Sequence, residues 1–129
     1  NVAPILENSN GAVMITVASV AGIRPRPGLT WYNGSKAAAI ITSRSMAVEL
    51  APKKIRVNVI NPVMGETAML EDFMGMEDTP ENREKFLSTI PLGRLARASD
   101  VANAALYLAS DEAELITGAC IEVDGGRTI

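Results

Sequence analysis

Ala12-Val13-Met14-Ile15-Thr16-Val17-Ala18-Ser19-Val20-Ala21-Gly22 decides the fold. From Ala12 to Ala18 the run is apolar or β-branched and carries no charge, the pattern of a buried strand. Gly22 then marks a turn. Ser19 stands at the carboxyl end of that strand. In an open parallel sheet, ligands bind outside the carboxyl ends of the strands. The serine is therefore placed where chemistry is expected.

Working outward, Pro25, Pro27 and Gly28 form a loop, and a helix is predicted from near Thr30 to about Ala51, ending before Pro52. Ala37, Ala38, Ile40, Ile41, Met46, Ala47 and Leu50 give it apolar faces broad enough for contact on two sides. Gly34, Ser35 and the alanine run would let another backbone approach closely. A short β-branched strand, Ile55 to Ile60, stops at Asn61-Pro62. Two helical patches follow, Ala68 to Met74 and Pro80 to Thr89. Ser99-Asp100 caps a helix through Leu108, with the acid where the helix dipole favours it. A last strand covers Ala119 to Val123, and Asp124-Gly125-Gly126 turns out of it.

Strand, helix, strand, helix, strand is a β-α-β-α-β unit, which predicts parallel strands joined by right-handed crossovers. The fold class is α/β, half of a Rossmann-like doubly wound parallel sheet. In such a half the first strand has one unpaired edge, and an apolar unpaired edge recruits other strands. There is no internal repeat and no sign of a second domain.

Tyr32 and Lys36 lie four residues apart within the predicted helix, and Ser19 precedes the tyrosine by thirteen residues. Helical positions i and i+4 share a face, so the phenol and the ammonium would be neighbours. A cation beside a phenol stabilises the phenolate. A tyrosine in that setting suits proton transfer to a carbonyl or from an alcohol, with Ser19 holding the same oxygen. A Tyr-x-x-x-Lys pair alone also fits a surface helix with a solvated lysine; the strand and serine upstream set this one apart.

These segments together resemble the short-chain dehydrogenases/reductases, across nearly the whole chain. The resemblance rests on Val17-Ala18-Ser19-Val20-Ala21-Gly22, on Tyr32 and Lys36 followed by small residues, and on Arg56-Val57-Asn58-Val59-Ile60-Asn61-Pro62. It continues through Pro91-Leu92-Gly93-Arg94, Asp100-Val101-Ala102, Thr117-Gly118 and Val123-Asp124-Gly125-Gly126. It is strongest toward 3-oxoacyl-carrier-protein reductases and glucose dehydrogenases. Such enzymes are about twice this length and open with a glycine-rich pyrophosphate turn. No G-x-G-x-x-G occurs here, so the expectation is the carboxyl-terminal half of one such domain.

The resemblance implies an NAD- or NADP-dependent oxidoreductase that interconverts a carbonyl and an alcohol. Ser19, Tyr32 and Lys36 would be its catalytic set. Tyr32 and Lys36 would also meet the cofactor, and Pro62, Val63 and Thr67 would hold the nicotinamide carboxamide. The usual Pro-Gly is Pro62-Val63 here, and Thr67 also suits a helix N-cap. Residues 64–90 would form the substrate lid, and the whole protein would be a homodimer or homotetramer. The alternative is a catalytically silent fragment that serves only in subunit association through the Thr30 to Ala51 helix.

Other features narrow the field. A net charge of −3, with basic residues scattered, gives no case for nucleic acid. No apolar stretch reaches the length of a membrane span and no leader pattern is present, so a cytoplasmic protein is expected. Cys120 is the single cysteine and reads as a small buried hydrophobe. With no histidine, the acidic residues between Glu71 and Glu84 read as a solvated face rather than a metal site. Met64, Met69, Met74 and Met76, with Leu70 and Phe73, would supply an apolar substrate wall or ordinary packing. Arg24 and Arg26, in the loop between Ser19 and Tyr32, are either solvated or placed to meet an anionic group.

Overall fold

The computed structural model describes residues 3–9, 11–65, 70–75 and 77–129, the side chains of residues 3, 72 and 73 excepted. A short helix α1 (Ala3–Glu7) leads to strand β1 (Val13–Val17), a 3₁₀ turn (Val20–Gly22) and the long helix α2 (Thr30–Leu50). Strand β2 (Arg56–Pro62) follows, then the short helices α3 (Leu70–Met74) and α4 (Pro80–Leu87). Helix α5 (Ala98–Ala109) and strand β3 (Cys120–Val123) complete the chain. The strands lie in the order β1-β2-β3, all parallel, with Ile15 opposite Asn58 and Ile60 opposite Ile121. This is the expected Rossmann-like α/β arrangement, and every strand directs its carboxyl end to one edge.

The central strand is where burial is deepest. Val57, Asn58, Val59, Ile60 and Asn61 are each at most 1% exposed, as a strand flanked on both edges and covered on both faces requires. Two of them are polar, so their amides need partners. Asn58 Nδ2 donates to the Ile116 carbonyl at 2.8 Å, and its Oδ1 accepts from Ala119 N–H at 3.1 Å. The loop that aims β3 is thus tied to the core strand.

Helix α2 covers one face. Ala47 is 2% exposed and sits with Ala12, Ile55 and Val57, while Ser43 Oγ donates to Thr16 Oγ1 at 2.8 Å. Its end matches the expectation from Pro52, which falls in the 3₁₀ turn Ala51–Lys53 that Lys54 closes at φ 57°. Val63, Leu70, Met74, Ile90 and Leu95 belong to a second apolar cluster.

The structure adds local detail to these expectations and at one point differs from them. The backbone that closely approaches the alanine run of α2 is that of Gly22: a methyl on Gly22 would stand 2.7 Å from both Ala37 N and Lys36 C, while among the described residues nothing lies within 4 Å of Gly34. Helix α5 is capped by Arg97 rather than by Ser99. Asp100 reaches back to Arg97 N–H at 2.8 Å and is gripped by Arg94 at 2.6 and 2.9 Å. The Arg94 hydrogen bonds, with that from Arg97 N–H, hold the Asp100 carboxyl down to a pKa of about 2. Of the two alternatives for the apolar residues after β2, Met74 and Leu70 take ordinary packing, as core residues at 5% exposure, because their helix turns that face inward. Of the segment's described methionines only Met64 reaches the cleft discussed below; Met69 and Met76 lie outside the described residues.

Among the described residues no helix is long and apolar enough to cross a membrane. Cys120 is only partly buried, and burial still pushes its thiol pKa up, against the opposing charge of Arg44. A thiol so held is a weak nucleophile.

Candidate active site

Three chain segments leave the sheet at the same edge, and the cleft between them holds the candidate residues. After β1 the backbone of Ser19 stays extended, at φ −172° and ψ 151°. Its Oγ accepts the Ala21 N–H at 3.1 Å and so caps the 3₁₀ turn. That bond fixes the oxygen's position while leaving the hydroxyl proton to be donated elsewhere. The turn lies directly on α2 through Gly22, which sets the serine at a defined height along the helix.

Tyr32 is in the first turn of α2, and Lys36 follows one turn later on the same face. Lys36 Nζ lies 5.7 Å from the centre of the Tyr32 ring and donates to the carbonyl of Val17, the last residue of β1, at 3.4 Å. Ser19 and Tyr32 line a common cleft of about 180 Å³. Lys36 is not one of its walls; it meets the cleft through Tyr32. The i, i+4 geometry expected from spacing is therefore present, and the fold adds the strand-end contact that spacing does not specify.

Pro62 and Val63, at the carboxyl end of β2, form another side of the cleft together with Met64 and Gly65. The Val63 amide is committed to the Val123 carbonyl at 3.1 Å. A ligand contact at this position accordingly falls to the carbonyl oxygen. Thr67 lies outside the described residues.

Arg24, which is exposed, and Arg26, which is half-buried, also line the cleft. Arg26 stacks on the Phe86 ring, its guanidinium carbon 5.0 Å from the centroid. The Arg26 carbonyl accepts from Asn33 Nδ2 at 2.9 Å, which couples the loop to the residue after Tyr32. Two wall residues escaped the sequence reading, Arg127 and Phe86. A signal for the first was present: in a parallel sheet the segment after β3 must leave at the same edge as Ser19. Phe86 had only its place within the expected 64–90 lid, since its approach to the cleft depends on how α4 folds back.

The family model described as enoyl-(acyl carrier protein) reductase matches residues 1–128. The chain is 56% identical over 126 residues to 4-formylbenzenesulfonate dehydrogenase of Comamonas testosteroni, covering 98% of this chain and 50% of that protein. It is 43% identical over 126 residues to 3-oxoacyl-[acyl-carrier-protein] reductase of Thermotoga maritima, covering 97% and 48%. Among solved structures, 3-ketoacyl-(acyl-carrier-protein) reductase from Brucella melitensis, complexed with NADH, superposes with a TM-score of 0.88 at 43% identity, over 99% of this chain and 50% of that one. The chain thus spans about half the length of the curated relatives it matches. With the match running from the first residues to the last and the Ser19, Tyr32 and Lys36 arrangement in place, this chain belongs to the short-chain dehydrogenase/reductase family and is 3-oxoacyl-carrier-protein reductase-like within it.

Proposed function

We propose that the protein carrying this chain is an NAD(P)-dependent oxidoreductase that interconverts a carbonyl and an alcohol, with Tyr32 as general acid/base. The observation that carries this is the convergence of Ser19 and Tyr32 on one cleft at the strand ends, with the Lys36 ammonium beside the tyrosine ring. The named relatives add support: one acts on a formyl compound and another is a 3-oxoacyl reductase, both carbonyl substrates.

A bound nicotinamide would supply the hydride acceptor or donor; the remaining work belongs to the chain. Ser19 orients the substrate oxygen with the proton its capping bond leaves available. Tyr32 delivers a proton to that oxygen during reduction and takes it back during oxidation. An ammonium has three donors, and among the described residues Lys36 directs one to the Val17 carbonyl, so donors remain for the hydroxyls of a nicotinamide ribose. Pro62 and Val63, with Thr67, would position the carboxamide, Val63 through its carbonyl. Residues 64–90, with α3 and α4, would close over the substrate.

Replacing Lys36 tests the assignment in the intact polypeptide. Lys36→Met is expected to weaken binding of reduced nicotinamide cofactor and to lower kcat/KM, since ribose contact and charge are both lost. Lys36→Arg should restore only part of either, because a planar fork does not reproduce a compact ammonium. Calorimetric cofactor titration and steady-state rates on both variants decide it. An arginine variant indistinguishable from the unsubstituted protein would reduce Lys36 to a surface charge.

We infer further that the whole protein is a homodimer or homotetramer. On α2, Ile41 and Val48 lie two turns apart on one face and are 59% and 77% exposed, and Trp31 at the start of the helix is 91% exposed; exposed large apolar side chains on one helix favour association. Sedimentation at micromolar concentration should give a multimer, and Val48→Glu should shift it toward monomer. A monomer before substitution would end this reading.

A further inference from the structure

The cleft holds a charge that the hydride-transfer chemistry does not use. Arg24, Arg26 and Arg127 all line it, alongside Ser19 and Tyr32. They reach it from two remote parts of the chain, the loop after β1 and the turn after β3. Arg24 Nη1 joins these parts by donating to the Arg127 carbonyl at 2.5 Å.

Three guanidinium groups held this close repel one another. Three cations elsewhere are ion-paired: Lys53 with Glu7, Arg83 with Asp78, Arg94 with Asp100. Among the described residues no carboxylate forms an ion pair with Arg24, Arg26 or Arg127. Asp124 is near in sequence, but its oxygens already accept from Gly126 N–H, Thr128 N–H and Thr128 Oγ1. Burial, followed by the neighbouring Arg127, moves the Arg26 pKa down; burial and Arg24 do the same to Arg127, with the Asp124 carboxylate offsetting part of the effect there. These groups thus bear a cost that an anion in the cleft would relieve.

The arginines are also placed rather than loose. Pro25 and Pro27 bracket Arg26, and proline locks its own φ and restricts the residue before it. Asn33 holds the Arg26 carbonyl, and the Phe86 face holds its guanidinium. The same cleft is lined by the apolar groups Leu29, Val63, Met64 and Val20.

We propose that the substrate carries a carboxylate or comparable oxyanion on an apolar body, and that Arg24, Arg26 and Arg127 hold this anion while the carbonyl or alcohol lies at Ser19 and Tyr32. The assignment deepens, and rests on, the oxidoreductase reading given above. Arginine suits the role because its planar fork meets a carboxylate through two parallel hydrogen bonds. The anion would anchor one end of the substrate, and the apolar wall would fix the distance to the reacting oxygen.

The test uses the intact polypeptide and two isosteric probes, benzoate and benzamide, titrated calorimetrically with and without NADH or NADPH. Benzoate is expected to bind about 10-fold or more tightly than benzamide, since charge-assisted hydrogen bonds are roughly twice as strong as neutral ones. Arg26→Gln and Arg127→Gln should each remove most of that margin, and Arg26→Lys should keep part of it, which separates loss of charge from loss of fold. With 4-formylbenzoate and 4-formylbenzamide as substrates, the same glutamine variants should raise KM for the anion and leave the amide's nearly unchanged. Equal affinity for the two probes in the unsubstituted protein would overturn the proposal, and so would a benzoate preference that survives both glutamine substitutions. If benzoate preference stands but neither NADH nor NADPH binds, the anion site survives and the oxidoreductase reading falls.

Discussion

Tyr32→Phe in the intact polypeptide is expected to lower kcat by about 10²- to 10⁴-fold, the usual contribution of a positioned proton donor, with cofactor affinity nearly unchanged. The substitution deletes one hydroxyl and keeps the ring. Contact between the ring and the Lys36 ammonium, 5.7 Å from its centre, is retained, and the half-buried ring continues to fill its place in the first turn of α2. What disappears is the group proposed to exchange a proton with the substrate oxygen at the cleft. Steady-state rates and a cofactor titration on the same preparation separate the two effects. Retention of more than about a tenth of kcat would fall outside the range for a general acid/base and remove Tyr32 from that role.

Gly22→Ala is expected to be the most damaging substitution outside the cleft. The new methyl would stand 2.7 Å from Ala37 N and from Lys36 C, and 2.9 Å from Ile40 Cδ1. The isoleucine can rotate away, but two of the three obstacles are backbone of α2, so the turn or the helix must move. Overpacking of this kind costs about 1–3 kcal/mol, and the rigid obstacles put this case toward the upper end. The displacement also separates Ser19 from Tyr32, and a shift of about 1 Å at a reacting group can cost about 10²-fold in rate. Urea unfolding and kcat/KM should therefore fall together. An alanine variant of unchanged stability would mean that turn and helix are not in the contact described.

The two outcomes draw on different levels of information, and the difference explains what could be read in advance. The unbroken apolar run from Ala12 to Ala18, the Gly22 turn and the Pro52 stop specify strand, turn and helix through local rules of periodicity and backbone freedom. The Tyr32 and Lys36 spacing needs only the helical repeat to bring phenol and ammonium together. Parallel order follows from alternation of strands and helices. For these features the sequence neighbours are also the spatial neighbours, or nearly so.

Features that depend on distant segments meeting were not legible. Gly34 and Gly22 are both plausible points of close approach; which one touches a backbone depends on how the 3₁₀ turn lies across α2. Met74 and Met64 are alike as residues, yet one is core and the other wall because of the path of α3 and the chain before it. Arg127 joins Arg24 across 103 residues, and no local pattern connects them. By itself the sequence determined the elements, their parallel order and the juxtaposition of Tyr32 and Lys36, since each rests on contacts a few residues apart. Only the tertiary structure decided which side chains share the cleft, because the ends of three parallel strands are brought to one edge by packing rather than by spacing.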